Sequence, residues 1–203
     1  MAQQKTDKFL HDLLIKAGDD SVNKVLQNPG EYRVQIIYTQ INRDKNNKPT
    51  FKNYYFNYDP YLYFNPASMV KMPLAFLALE KLNTLLNKGL DKYTPLAFDS
   101  SYAGQKPLYQ DFTAENGLPS LAHFIKRAFL ISENDPYNRM YQFVGQQTIN
   151  RNLHAKGYQN SRITRQFMGF TEEGNRHTNA IRFLNPDGST KYAQPAEIGR
   201  AHV

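Results

Sequence analysis

The period of the apolar residues changes at Ser68, and that change constrains the fold more than any other feature of the chain. From there Met72, Ala75, Phe76, Leu79, Leu82 and Leu86 recur at helical spacing as far as Gly89, which predicts a central buried helix. Pro73 lacks the N–H that would bond back to Met69, and a helix tolerates that only near its start, so the first turn is placed close to Ser68.

That helix opens with Ser68-Met69-Val70-Lys71. A serine hydroxyl is a weak nucleophile until a neighbour takes its proton, and three-residue spacing at a helix start puts the lysine amine on the hydroxyl's face. The tetrapeptide is not rare. Eight Ser and 15 Lys in 203 residues give roughly 0.6 such pairs by chance, the ordinary risk of a short motif. Ser21-Val22-Asn23-Lys24 is a second match, but it runs into Asn28-Pro29-Gly30 with no apolar helix behind it, and reads as a solvated helix end.

Elsewhere the pattern alternates between the two periods. Thr6 to Ala17 reads as an amphipathic helix stopped by Gly18, and Tyr32–Ile41 and Phe51–Tyr58 read as a hairpin about the polar turn Asp44–Pro49. Residues 91–116, broken by Pro95, Gly104 and Pro107, read as an irregular crossing loop. Three helices follow: one through Leu121, Phe124 and Phe129, one capped by Asp135 with Pro136 at its first helical position, and one from Thr148 to Lys156. Ala180–Tyr192 reads as a minor hairpin about Pro186-Asp187-Gly188.

Composition narrows the chemistry. There is no Cys, so disulfides, thiolate zinc sites and cysteine nucleophiles are excluded together, and serine gains weight. The net charge of +7 comes from scattered basic residues with no run of five, which argues against nucleic acid as a partner. The five His are read as forming no i, i+4 pair and as having no acidic partner at ligand spacing, and no metal or other cofactor is expected. No apolar run is long enough to span a membrane, and no secretory h-region is present.

Between the first two of the later helices lies Ser132-Glu133-Asn134. Alone it reads as helix-cap chemistry. Together with Asn65-Pro66-Ala67-Ser68-Met69-Val70-Lys71-Met72-Pro73, and with Asn138 in the matching place after it, the chain resembles the penicilloyl-serine transferase superfamily, nearest to class A β-lactamases and β-lactamase-like serine hydrolases. The resemblance covers about residues 30–195. It implies an α/β (α+β) fold of the β-lactamase/transpeptidase type: an antiparallel sheet flanked by helices, plus an all-helical subdomain at about 68–160.

It also implies Ser68 as nucleophile, Lys71 as proton acceptor or relay, Ser132 as the group that passes a proton to the leaving nitrogen, and Asn134 as a substrate-binding amide. The substrate implied is a β-lactam or a cell-wall peptide, met in the periplasm or outside the cell by a monomer. The alternative is a penicillin-binding or sensor protein, or a D,D-peptidase-like enzyme, on the same scaffold without efficient deacylation. Glu133 stands where the family has Asp. Glu172 and Glu173 lie where the family carries its deacylating glutamate, although Asn175 falls three and two residues after them rather than four.

No Lys-Thr-Gly or Lys-Ser-Gly triplet occurs. The last residues, Ile198-Gly199-Arg200-Ala201-His202-Val203, are those encoded by the start of a common sequencing adapter. The expectation is therefore one incomplete catalytic domain over residues 1–197 with later sheet strands missing, a non-native tail at 198–203, and no turnover from this polypeptide.

Overall fold

A computed structural model describes residues 5–200; Ala201, His202 and Val203 of the expected tail lie outside the described residues. The chain divides into two compact units, Met1–Asn65 and Pro66–Val203.

In the first unit, α1 (Lys8–Ala17) and α2 (Asp20–Gln27) precede the antiparallel hairpin of β1 (Ile36–Arg43) and β2 (Pro49–Phe56). The Asp44 carboxylate builds the turn by accepting from the N–H groups of Asn46 and Lys48, both at 2.9 Å, an Asx arrangement that lets Asn47 take a positive φ of 62°. Leu10, Leu26 and Phe56 form a small core. Ser21 and Lys24 lie exposed within α2, so the second Ser-x-x-Lys is a solvated helix face.

The second unit holds the larger core. A short 3₁₀ turn at Ala67–Val70 leads into α3 (Lys71–Asn83), followed by β3 (Leu96–Asp99), α4 (Leu121–Leu130), α5 (Asn134–Val144), α6 (Gln146–Ala155), the short α7 (Glu172–Arg176), β4 (Ala180–Leu184) and β5 (Thr190–Gln194). The strands make one antiparallel sheet in the order β3-β4-β5. The minor hairpin expected around Pro186-Asp187-Gly188 is thus β4–β5, and the crossing loop contributes its third strand. No described helix is long and apolar enough to cross a membrane.

The central helix forms and buries Ala75 and Leu82 of the expected stripe, but it turns other members of that stripe outward. Leu74, Ala75, Leu77, Ala78 and Leu82 point into the core, whereas Met72 and Phe76 are 53% and 61% exposed. A helix apolar on nearly every side has no single stripe to read, and contacts with α4, α5 and α6 select the buried one. The helix also ends early, at Asn83, before a separate 3₁₀ turn closes on Gly89 at φ 69°.

The α4–α5 junction is tight. Ser120 caps α4 by accepting from the His123 N–H at 3.2 Å. The N-cap of α5 is Glu133, two residues before the expected Asp135, so Pro136 sits third in the helix, where its missing N–H is still one of the unpaired first four. Gly145, at φ 87°, serves both as the end of α5 and as the start of α6.

Candidate active site

Two pieces of backbone held in the left-handed region bring the site together. Ala67 has φ 46° immediately before Ser68, and Ser132 itself has φ 55° between α4 and α5. Such angles cost a non-glycine residue about 1–3 kcal/mol and persist only where the surroundings enforce them. The first aims Ser68 from the mouth of α3, and the second turns the Ser132 hydroxyl back toward it.

The Ser68, Ser132 and Lys71 side chains close a hydrogen-bonded triangle. Ser132 Oγ donates to Ser68 Oγ at 3.0 Å, and Lys71 Nζ donates to Ser68 Oγ at 3.2 Å and to Ser132 Oγ at 3.0 Å. The same amine reaches Asn134 Oδ1 at 3.0 Å and the Ser132 carbonyl oxygen. An ammonium has three protons, so these four acceptors leave none of them unpaired and at least two acceptors share one proton.

Lys71 is 3% exposed although it is the first residue of α3, and Ser68 beside it is open to solvent. Burial pushes the Lys71 amine below its ordinary 10.5, against the Glu133 carboxylate, whose field acts in the other direction. A lysine so placed is a better proton acceptor near neutral pH than one in water. The Phe167 ring lies 5.3 Å from Nζ and contributes to the cover.

Phe167 is held there by α5. The Asn138 amide donates to the Phe167 carbonyl at 2.9 Å and accepts from its N–H at 2.8 Å. On either side, the Tyr137 hydroxyl donates to the Arg165 carbonyl at 2.9 Å and Gln142 donates to Gln166 Oε1 at 2.8 Å. Phe167 and Gln166 carry no sequence signal: they sit in an aperiodic stretch, and only the fold gives them neighbours.

A model of the beta-lactamase enzyme family matches residues 17–201. The chain belongs to that family. It is a β-lactamase-like hydrolase in the general sense, and no curated protein and no solved structure matches it.

Of the residues expected in this β-lactamase-family site, Ser68, Lys71, Ser132 and Asn134 converge, whereas the two glutamates on α7 are bonded elsewhere or not at all. The Glu173 carboxylate accepts from Arg176 Nη1 at 2.6 Å and faces His177 Nε2 at 2.9 Å, and these partners, His177 first, hold it below the usual carboxylate range. No hydrogen bond joins Glu172 or Glu173 to Ser68, Lys71 or Ser132 among the described residues. The Glu173–His177 pair shows that one histidine does have an acidic partner one helical turn away, yet no described group of three or more His, Asp or Glu side chains is placed to hold a metal.

Proposed function

We propose that the protein is a serine hydrolase that forms an acyl-enzyme through Ser68 with a β-lactam or a peptidoglycan-type amide, as a monomer in the periplasm or outside the cell. The observation that supports this most is the closed triangle of Ser68, Ser132 and Lys71 around a buried amine. The neutral Lys71 amine takes the Ser68 proton as Oγ attacks the amide carbon. The oxyanion that develops is held by the Ser68 backbone N–H. As the C–N bond breaks, Ser132 passes its proton to the leaving nitrogen and is reprotonated from Lys71, and the product is an ester on Ser68. Asn134 both positions the amine and offers its amide to the substrate.

Release of the ester needs a water made nucleophilic by a base. Glu172 and Glu173 are the residues proposed for it, and the Arg176 and His177 contacts of Glu173 favour a second reading, in which the ester persists and the protein acts as a penicillin-binding or sensor protein. Incubation with a fluorescent penicillin, followed by electrophoresis and intact mass, separates them. Label lost in Ser68→Ala and released within minutes supports the hydrolase; label that stays supports the penicillin-binding reading; no label on the wild-type chain overturns acylation at Ser68.

A further inference from the structure

Glu133 lies between two residues that both bond to the Lys71 amine, Ser132 and Asn134. Its own carboxylate does not join them. It accepts instead from Arg127 Nε at 2.6 Å, across the junction between α4 and α5. All four hydrogen-bond acceptors around Lys71 are therefore uncharged, and a carboxylate one residue away is held to one side.

We propose that Arg127 is a positioning residue for the acyl transfer: it keeps the Glu133 carboxylate off the Lys71 amine and so regulates how readily that amine takes the Ser68 proton. The inference rests on the reading of Ser68 and Lys71 as nucleophile and base. Arg127 sits in the last turn of α4, where its carbonyl accepts from the Ile131 N–H at 3.3 Å, so the residue that ends the helix also reaches over the break that follows. The glutamate, one methylene longer than an aspartate, has the length to meet it there, and its charge is near enough to act on Lys71.

The other charged groups near the amine are already occupied or are not carboxylates. On α5, Asp135 pairs with Arg139 at 3.3 Å. On the covering loop, Arg165 adjoins Tyr137 through its carbonyl, and the Phe167 ring is the group that faces Nζ. On α3 itself the nearest charges in sequence are Glu80, which pairs with Lys156, and Lys81, which bonds to α5 carbonyls. Among the described residues, Glu133 is the charged group whose field acts on Lys71. An unpaired carboxylate beside the amine stabilises its protonated form, and pairing with a guanidinium offsets that field.

A merely structural ion pair makes a different prediction, because deleting either partner then has the same consequence. Here the two deletions act in opposite directions. In protein labelled with ¹³Cε-lysine, the Lys71 signal is assigned by its loss in Lys71→Arg, and its titration midpoint is followed alongside the acid limb of the rate of labelling by a fluorescent penicillin. Arg127→Gln frees Glu133 and raises midpoint and limb together by about one pH unit. Glu133→Gln removes the carboxylate and lowers both. Arg127→Gln/Glu133→Gln gives the Glu133→Gln value, since no carboxylate remains to be released, and Arg127→Lys restores most of the wild-type profile. Shifts in the same direction in the two single variants, or no shift in either, overturn the proposal. Failure of the wild-type chain to label overturns the acyl-transfer reading instead, and the Lys71 titration still decides whether Arg127 controls the amine.

Discussion

Asn138→Ala tests whether the cover over Lys71 is held by a single side chain. Asn138 is 7% exposed and makes the reciprocal pair with the Phe167 backbone, at 2.9 and 2.8 Å. Each such bond contributes about 1 kcal/mol net, and each group left dry without a partner costs more. Phe167 is only partly buried, so water reaches some of what is exposed, and the loss comes to about 2–3 kcal/mol. For a unit of this size that is a fall of roughly 4–10 °C in melting temperature.

The change also has a direction at the site. Freed from Asn138, the Phe167 ring no longer shields Nζ, burial of the Lys71 amine decreases, and its pKa moves up toward 10.5. Less of the amine is then neutral at pH 7, so acylation slows and its acid limb moves to higher pH. Urea unfolding gives the first quantity, hydrogen exchange at residues 163–171 shows whether the loss is local, and the pH profile of penicillin labelling gives the third. Asn138→Asp is the sharper control. It keeps the acceptor for the Phe167 N–H but sets a carboxylate against the Phe167 carbonyl, so it destabilises at least as much. A cost below about 0.5 kcal/mol in Asn138→Ala, typical of an unconstrained surface site, with an unchanged acid limb, would refute the reasoning.

Other substitutions probe the frame around the site. Lys81 donates to the Phe143 carbonyl at 2.6 Å near the end of α5, and Lys81→Met is expected to cost about 1–2 kcal/mol in urea. Burial holds the Lys81 amine below 10.5, so between its folded value and 10.5 the unfolded chain binds more protons; stability rises with pH across that window and is lost as pH falls through the folded pKa, and Lys81→Met removes this slope. Gly145→Ala meets both a φ of 87° and the Glu197 carboxylate, 2.9 Å from the new Cβ, whereas Gly157→Ala meets φ 94° and open space; the first is expected to lose more stability than the second, with strain of about 1–3 kcal/mol common to both. Ser132→Gly relieves the left-handed strain at φ 55°, so it is expected to unfold no more easily than wild type while losing acylation, and a stability loss as large as the activity loss would contradict that.

How much of this was legible in the sequence depends on whether the deciding contact is local. Ser68 and Lys71 share a helix start, and their spacing alone predicts a common face. The β1–β2 and β4–β5 hairpins announce themselves through alternation and turn chemistry within a few residues. By contrast, Leu96-Ala97-Phe98-Asp99 is a four-residue run, buried at its first three positions with no alternation, and it becomes a strand by pairing with Ala180–Phe183, more than 80 residues away. The five-residue α7 is too short for a helical period to show, and an isolated helix of that length does not form in water; Thr171 caps it by accepting from the Gly174 N–H at 2.9 Å.

The burial of Lys71 is the most consequential non-local fact. A lysine opening a helix reads as solvated, and nothing within Ser-x-x-Lys distinguishes a buried base from an exposed one. What separates Lys71 from Lys24 is the α4–α5 junction, 61 to 63 residues on, which presents a carbonyl, a hydroxyl and an amide to the amine. The junction can do so because Ser132 is bent into the left-handed region and Glu133 is turned outward to Arg127. On the proposed reading the motif supplies the reacting atoms, and the surroundings of the amine are set by residues that no spacing rule links to it. An exposed Ser-x-x-Lys grafted onto another helix start lacks that junction, and its lysine keeps the affinity for protons that it has in water.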